Sequence, residues 1–128
     1  MYGLNVLLYI GKADRQTFGT RIAQESWYSN RNAREIGIYV GRLAGEVQPT
    51  DDEWSENISQ AEKLLIYSHV PACNSQFINL KNDQSIEDLH VLNWGSFGDL
   101  MSEVSGRRWA GKFQNEWHNE YNYQPPKA

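Results

Sequence analysis

Val6-Leu7-Leu8-Tyr9-Ile10-Gly11-Lys12 is the stretch on which the reading of this chain turns. It is a short apolar run that opens on a β-branched residue. Gly3 and Asn5 precede it and Ala13-Asp14 follow it. A run this short, bounded by turn residues, predicts a buried strand over residues 6–11 rather than a helix. At its end an aromatic hydroxyl (Tyr9), a position with no side chain (Gly11) and a cation (Lys12) emerge together. Gly11 leaves room for another backbone or a ligand to approach. A reactive group at the edge of a rigid element is a common way to build a site, although Tyr-Ile-Gly alone is equally an ordinary strand end.

Working outward, 128 residues with 40% hydrophobic and 12% aromatic content predict one domain with an ordinary core. The single cysteine, Cys73, excludes an intramolecular disulfide and a cysteine-based zinc site, and fits a reducing, cytoplasmic setting. No apolar run approaches the roughly 18 residues of a membrane span, and no signal-peptide pattern opens the chain. The net charge of −4 is unevenly spread. Residues 12–42 carry six Lys/Arg against three acids, residues 43–106 two against eleven, and residues 107–128 four against two. A basic third beside an acidic middle suits a face that meets a polyanion, and equally suits a solvated surface.

A first strand is expected at Met1-Tyr2, paired with residues 6–11 in a hairpin. A helix follows, with Thr17 as cap and Phe18 and Ile22 facing inward. Arg21 borders that stripe, where it can lean over the strand end or pair with Glu25 one turn on. Residues 35–43 predict a second strand. Thr50-Asp51-Asp52-Glu53 is a capping-box pattern, a threonine followed three residues later by a glutamate. It opens a long helix over residues 51–69. Trp54, Ile58, Ala61 and Leu65 recur there at helical spacing as the buried stripe, with Glu62 at its edge. Val70-Pro71 stops the helix, and Asn74 falls in the loop beyond, placed to bond backbone. Residues 77–80 and 89–93 predict short strands. The segment after Asp99 is aromatic-rich, with Trp109, Phe113 and Trp117. His69, His90 and His118 lack metal-ligand spacing. Neither a Ser-His-Asp pattern nor a phosphate-cradling glycine loop is present. The five tryptophans read as core rather than as base-stacking platforms.

The order Tyr9-Ile10-Gly11-Lys12, Arg21, Ala61-Glu62-Lys63-Leu64-Leu65-Ile66, then His69-Val70-Pro71-Ala72-Cys73-Asn74, resembles the GIY-YIG nuclease superfamily over about residues 4–80. Its most specific part is Glu62 followed by Asn74, with Leu-Ile and Pro between. The resemblance implies an α+β fold with a small three-stranded antiparallel sheet flanked by helices. It implies a nuclease-like core over residues 1–80 and a C-terminal extension over 81–128 packed on the same domain. It further implies DNA as partner and a metal-dependent endonuclease that hydrolyses phosphodiester bonds with Mg²⁺ (or Mn²⁺). Carried over, Glu62 would bind the metal. Tyr9 would serve at the reacting phosphate as base or as a positioner of water. Lys12 and Arg21 would neutralise charge, and Asn74 would support the site.

These roles suit the chemistry. Mg²⁺ keeps most of its waters and needs few protein carboxylates. Fixed cations lower the cost of charge building on phosphate oxygens. A tyrosine becomes a usable base only when positive charge pulls its pKa down, which Lys12, Arg21 and the metal would supply.

The sequence departs from the family pattern at three places, one of them the whole region after Leu80, which matches no part of the nuclease core. The opening Gly-Ile-Tyr strand should lie about ten residues before Tyr9. Either the native start lies upstream of Met1 or one tyrosine is lost; Gly37-Ile38-Tyr39 comes too late in the order to stand for it. Many members also carry His or Tyr one turn after the helix arginine, where this chain has Glu25; Tyr28 is an alternative occupant. Three function classes follow. The first is an active endonuclease. The second is a catalytically inactive relative that binds nucleic acid or a protein. The third is a small α/β interaction module whose matches are accidental. The sequence leaves DNA specificity and oligomeric state open.

Overall fold

The computed structural model describes residues 6–25, 36–78 and 84–109. Within them the element order is α1 (Phe18–Gln24), α2 (Asp51–His69), a 3₁₀ turn (Gln84–Ile86), β1 (His90–Leu92), β2 (Glu103–Ser105) and α3 (Gly106–Trp109). The protein is a small α+β fold with one two-stranded antiparallel sheet among the described residues.

The helix starts follow from their caps. The Thr17 hydroxyl accepts from the Thr20 N–H at 3.2 Å and opens α1. At α2 the box is closed in both directions: Thr50 Oγ1 accepts from the Glu53 N–H at 3.3 Å, and Glu53 Oε2 accepts from the Thr50 N–H at 2.8 Å. The Thr50 N–H and the Thr50 hydroxyl, which donates to the same Oε2 at 3.0 Å, hold the Glu53 carboxyl below its ordinary range. Asp51, Asp52 and Glu53 set negative charge against the positive end of the helix dipole. The helix ends where expected. Val70 takes a left-handed conformation with φ 45°, which costs a β-branched residue about 1–2 kcal/mol. Pro71 then carries the chain away, buried.

The core lies between α2 and the C-terminal segment. Leu64, Ile86 and Val104 are buried together, with Leu65, Leu89, Val91 and Trp109 packed against them. Val91 faces Val104 across the two strands. Trp109 meets Tyr67 edge-on, with ring centroids 6.2 Å apart. Gly106 is where the backbones close: its N–H donates to the Leu89 carbonyl at 2.6 Å, and a Cβ there would lie 1.5 Å from the Ile86 carbonyl oxygen. His69 ties α2 to the β1–β2 loop. Its Nε2 accepts from the Met101 N–H at 2.7 Å, so the ring hydrogen sits on Nδ1, 2.8 Å from the Leu65 carbonyl.

Several expectations are revised. The described parts of the expected strands at 6–11 and 35–43 are in no β-ladder with described residues, so the three-stranded sheet is not seen there. Leu7 and Leu8 instead accept from Ala72 and Cys73 N–H groups, at 3.2 and 2.7 Å. Ile38, Tyr39 and Val40 are exposed. Among the described residues the one ladder is that expected around residues 89–93, and its partner had no clear signal. Residues 77–78 form a bend. Met1-Tyr2, Tyr28, residues 79–80, Phe113, Trp117 and His118 lie outside the described residues. Helix α1 buries no side chain, and Phe18 is exposed rather than inward-facing. On α2, Leu64 and Ile66 join Ala61 as the buried positions, while Trp54, Ile58 and Leu65 are half-buried. The buried arc is wider than one stripe because the helix is covered on two sides. Trp94 is 80% exposed and belongs to no core.

Candidate functional site

The second covered side of α2 is a stripe of Ser55, Ser59, Glu62 and Ile66, spaced four, three and four residues apart. At 100° per residue these share one flank, roughly a third of a turn from the Leu64–Leu65 side. The N-terminal segment lies along that flank. Ser59 Oγ accepts from Lys12 Nζ at 2.5 Å, and the Ser55 hydroxyl donates to Asp14 Oδ2 at 2.6 Å. Glu62 accepts from the Lys12 backbone N–H. Residues 9–14 are thereby fastened to one helix face by polar contacts.

Opposite the helix, the segment is held by the loop after Pro71. Asn74 behaves as a strand partner made of one side chain. Its Oδ1 accepts from the Ile10 N–H and its Nδ2 donates to the Ile10 carbonyl, both at 2.9 Å. Asn74 thus bonds backbone as expected, in the segment sixty-four positions upstream and not in its own loop.

Between these walls is a cleft of about 520 Å³, lined by Tyr9, Lys12, Asp14, Arg21, Glu62 and Asn74 among others. All five sequence-derived site residues, Tyr9, Lys12, Arg21, Glu62 and Asn74, therefore meet in one place. Arg21 reaches over from α1. Its Nε donates to the Lys12 carbonyl at 2.7 Å and its Nη2 to the Tyr9 hydroxyl at 2.8 Å, and it is ion-paired with Glu25. The two alternatives for Arg21, leaning over the strand end and pairing with Glu25, are both realised. Gly11 serves a different purpose from the one expected. A Cβ there would lie 2.5 Å from Tyr9 Cε1, so the space is taken by the tyrosine's own ring.

The electrostatics correct one expectation. The Tyr9 phenol is pushed above its ordinary value, not below it. Burial is the largest cause and the hydrogen bond to Glu25 adds to it, while Arg21 opposes and the Glu25 and Glu62 charges reinforce. The Glu62 carboxyl is also raised, by burial, against the opposing pull of Lys12, its backbone N–H, Arg21 and Lys63. Three participants were not singled out from sequence. Glu25 was visible only as the residue four past Arg21. Asp14 joins through Lys12, 3.8 Å away, and its buried Oδ1 has no hydrogen-bond partner. The serines of α2 were legible as a polar stripe at spacings of four and three.

No group of three His, Cys, Asp or Glu among the described residues is placed to hold a metal ion. Two carboxylates line the cleft beside the Tyr9 phenol: Glu62, half-buried, and Asp14, whose Oδ2 is already tied to Ser55 and Lys12. That set suits a hard cation that keeps its waters and takes further oxygens from a ligand. It does not suit zinc, which takes three or four nitrogen, sulfur or carboxylate ligands from the protein. No described helix is long and apolar enough to cross a membrane. Compared with known proteins, the chain matches no family model, no curated protein and no solved structure.

Proposed function

We propose that the cleft hydrolyses phosphodiester bonds in DNA with a divalent cation, in the manner of a GIY-YIG endonuclease. The observation that carries this reading is the meeting of Tyr9, Lys12, Arg21, Glu62 and Asn74 around one cleft, from positions spread over sixty-six residues.

Charge supports the need for a cation. Lys12 and Arg21 stand among Asp14, Glu25 and Glu62, so a phosphate anion approaches a site with one more carboxylate than cation. A divalent ion on Glu62 reverses that balance. Bound Mg²⁺ or Mn²⁺ would supply Lewis-acid neutralisation of the phosphate oxygens. The protein's own groups do the rest. Arg21, with its fork fixed on Lys12 and Tyr9, presents guanidinium charge where phosphate oxygens become more negative. Lys12 adds a second cation. Tyr9 holds the attacking water. Asn74 keeps Ile10, and with it Tyr9 and Lys12, at a fixed distance from α2.

Nicking of supercoiled plasmid in Mg²⁺ tests the reading. Wild type should convert plasmid to open circles, and Glu62→Ala should abolish this. Equal residual cleavage by the two proteins would overturn it. A second reading, an inactive module that binds nucleic acid or a protein, draws on the fact that each cation of the cleft already has an acidic partner, Lys12 with Asp14 and Arg21 with Glu25. It predicts salt-dependent DNA affinity without turnover.

A further inference from the structure

The cleft has two kinds of wall. Lys12, Asp14, Arg21 and Glu62 make one part charged, and Ile66 with the loop Ser75-Gln76-Phe77 makes another that carries no charge. A phosphate and a hydrated ion employ only the first. At about 520 Å³ the space falls among sites of roughly 300–1,000 Å³ that enclose a whole organic ligand. Phe77 is the largest side chain of the uncharged part. Its backbone holds φ 63°, a left-handed conformation that is costly for any residue with a side chain. It is half-buried and lies outside the apolar cluster of Leu64, Ile86 and Val104. Lys63 Nζ stands over the Phe77 ring, 5.7 Å from its centroid, and the same charge bears on the Glu62 carboxylate. The ring is therefore a near neighbour of the group that the phosphodiester reading assigns to the metal.

We propose that the uncharged part of the cleft is a nucleobase subsite, where an unpaired base next to the scissile phosphate stacks on the Phe77 ring. The inference rests on the phosphodiester reading and deepens it by naming the substrate class, DNA with a base out of its stack. An aromatic ring accepts any base in this way, because every base has a π-face. Lys63 covers one face of the ring, so the base takes the other. Ser75 and Gln76, both exposed, each offer a donor and an acceptor to the edge of that base. A base inside a duplex reaches a ring set in a cleft only by leaving its neighbours. This costs least where the base is already unpaired or mismatched.

Binding is read first, in Glu62→Ala protein, so that no strand is cut. The probe is a short single strand with 2-aminopurine at its centre, at low salt. Beside it stands the same strand with an abasic sugar at that place. The 2-aminopurine fluorescence should fall on binding as the base stacks, and the abasic strand should bind about 10-fold more weakly, within the range for one stacked base. Adding Phe77→Leu keeps an apolar side chain and removes the π-face. It should abolish the quenching and weaken the 2-aminopurine strand about 10-fold, with the abasic strand unaffected. Phe77→Tyr keeps a ring and should keep the quenching. Equal affinity for the two strands, no quenching in the parent, or quenching that survives Phe77→Leu would overturn the proposal. So would a Phe77→Leu protein that loses both strands alike, since that marks the ring as structural.

Turnover separates this proposal from the reading beneath it. In Mg²⁺, wild type should cut an end-labelled duplex faster beside a mismatched base than in its fully paired form, and Phe77→Leu should lose that preference. If wild type cuts the two duplexes alike, the subsite fails and the nuclease reading stands. If wild type cuts neither while the quenching still depends on Phe77, the nuclease reading fails and the base subsite stands.

Discussion

The two sides of α2 are held by different forces. On the side of Leu64, the C-terminal segment supplies Ile86 and Val104, and the contact is apolar and closely packed. On the side of Glu62, the N-terminal segment is fastened by Ser55, Ser59, Asn74 and backbone pairs, and α1 buries nothing at all. The apolar side resists changes of volume, because its atoms have nowhere to move. The polar side resists loss of a partner, because a shielded N–H or C=O left unpaired loses its solvation as well as its bond. Stability should therefore be governed from one face and geometry at the cleft from the other.

The sharpest contrast is between two glycines. Gly106→Ala drives a Cβ into the Ile86 carbonyl backbone. It should cost about 3 kcal/mol or more, read as a large fall in the urea midpoint. The difference between the two sides would be broken if that variant melted like wild type. Asn74→Ala comes next. It strands both polar groups of Ile10 and should cost about 2 kcal/mol. Faster amide exchange should be confined to residues 7–10 and 72–74, and exchange spread evenly through α2 and the strands would show that the two sides are not separable.

Gly11→Ala should change stability by less than about 1 kcal/mol, because the colliding group is a side-chain ring that can swing away. It should still lower plasmid nicking, since Tyr9 leaves its place. The smallest effect concerns Glu62. Burial raises its carboxyl above the ordinary 4.5, so the folded chain binds that proton more readily than the unfolded one. Stability from this group is fully present below 4.5 and is lost as pH rises through the folded value. Glu62→Gln should melt slightly higher than wild type at pH 7 and no higher at pH 4, while losing nicking. Melting curves at the two pH values check the sign.

The helices were the most legible part of the fold, because their signals are local. The Thr50–Glu53 box and the Val70-Pro71 stop placed both ends of α2. The strands were harder to read. An apolar run reports a wish for burial, and a ladder needs a partner that the run itself does not name. Residues 7–10 find theirs in a loop and in the Asn74 amide, a partner with no hydrophobic pattern. The same limit hid the two-sided burial of α2: of the stripe through Trp54, Ile58, Ala61 and Leu65 only Ala61 is fully buried, and nothing in it told of Leu64 or of a second neighbour along Ser55, Ser59 and Glu62. The site residues were legible through the order of motifs. Their wiring was not, because whether Arg21 serves Tyr9 or Glu25 depends on distances across segments, and the structure shows it serving both.

One helix anchors both regions, and this bears on how the chain can change. The address of the Glu62 carboxylate is set by Leu64 and Leu65, core residues on another flank that do not line the cleft. Residues around the cleft can be exchanged one at a time without unseating the scaffold, whereas an exchange beneath Leu64 moves every group the cleft depends on. Innovation in such a molecule is open on one side of a single rod and closed on the other.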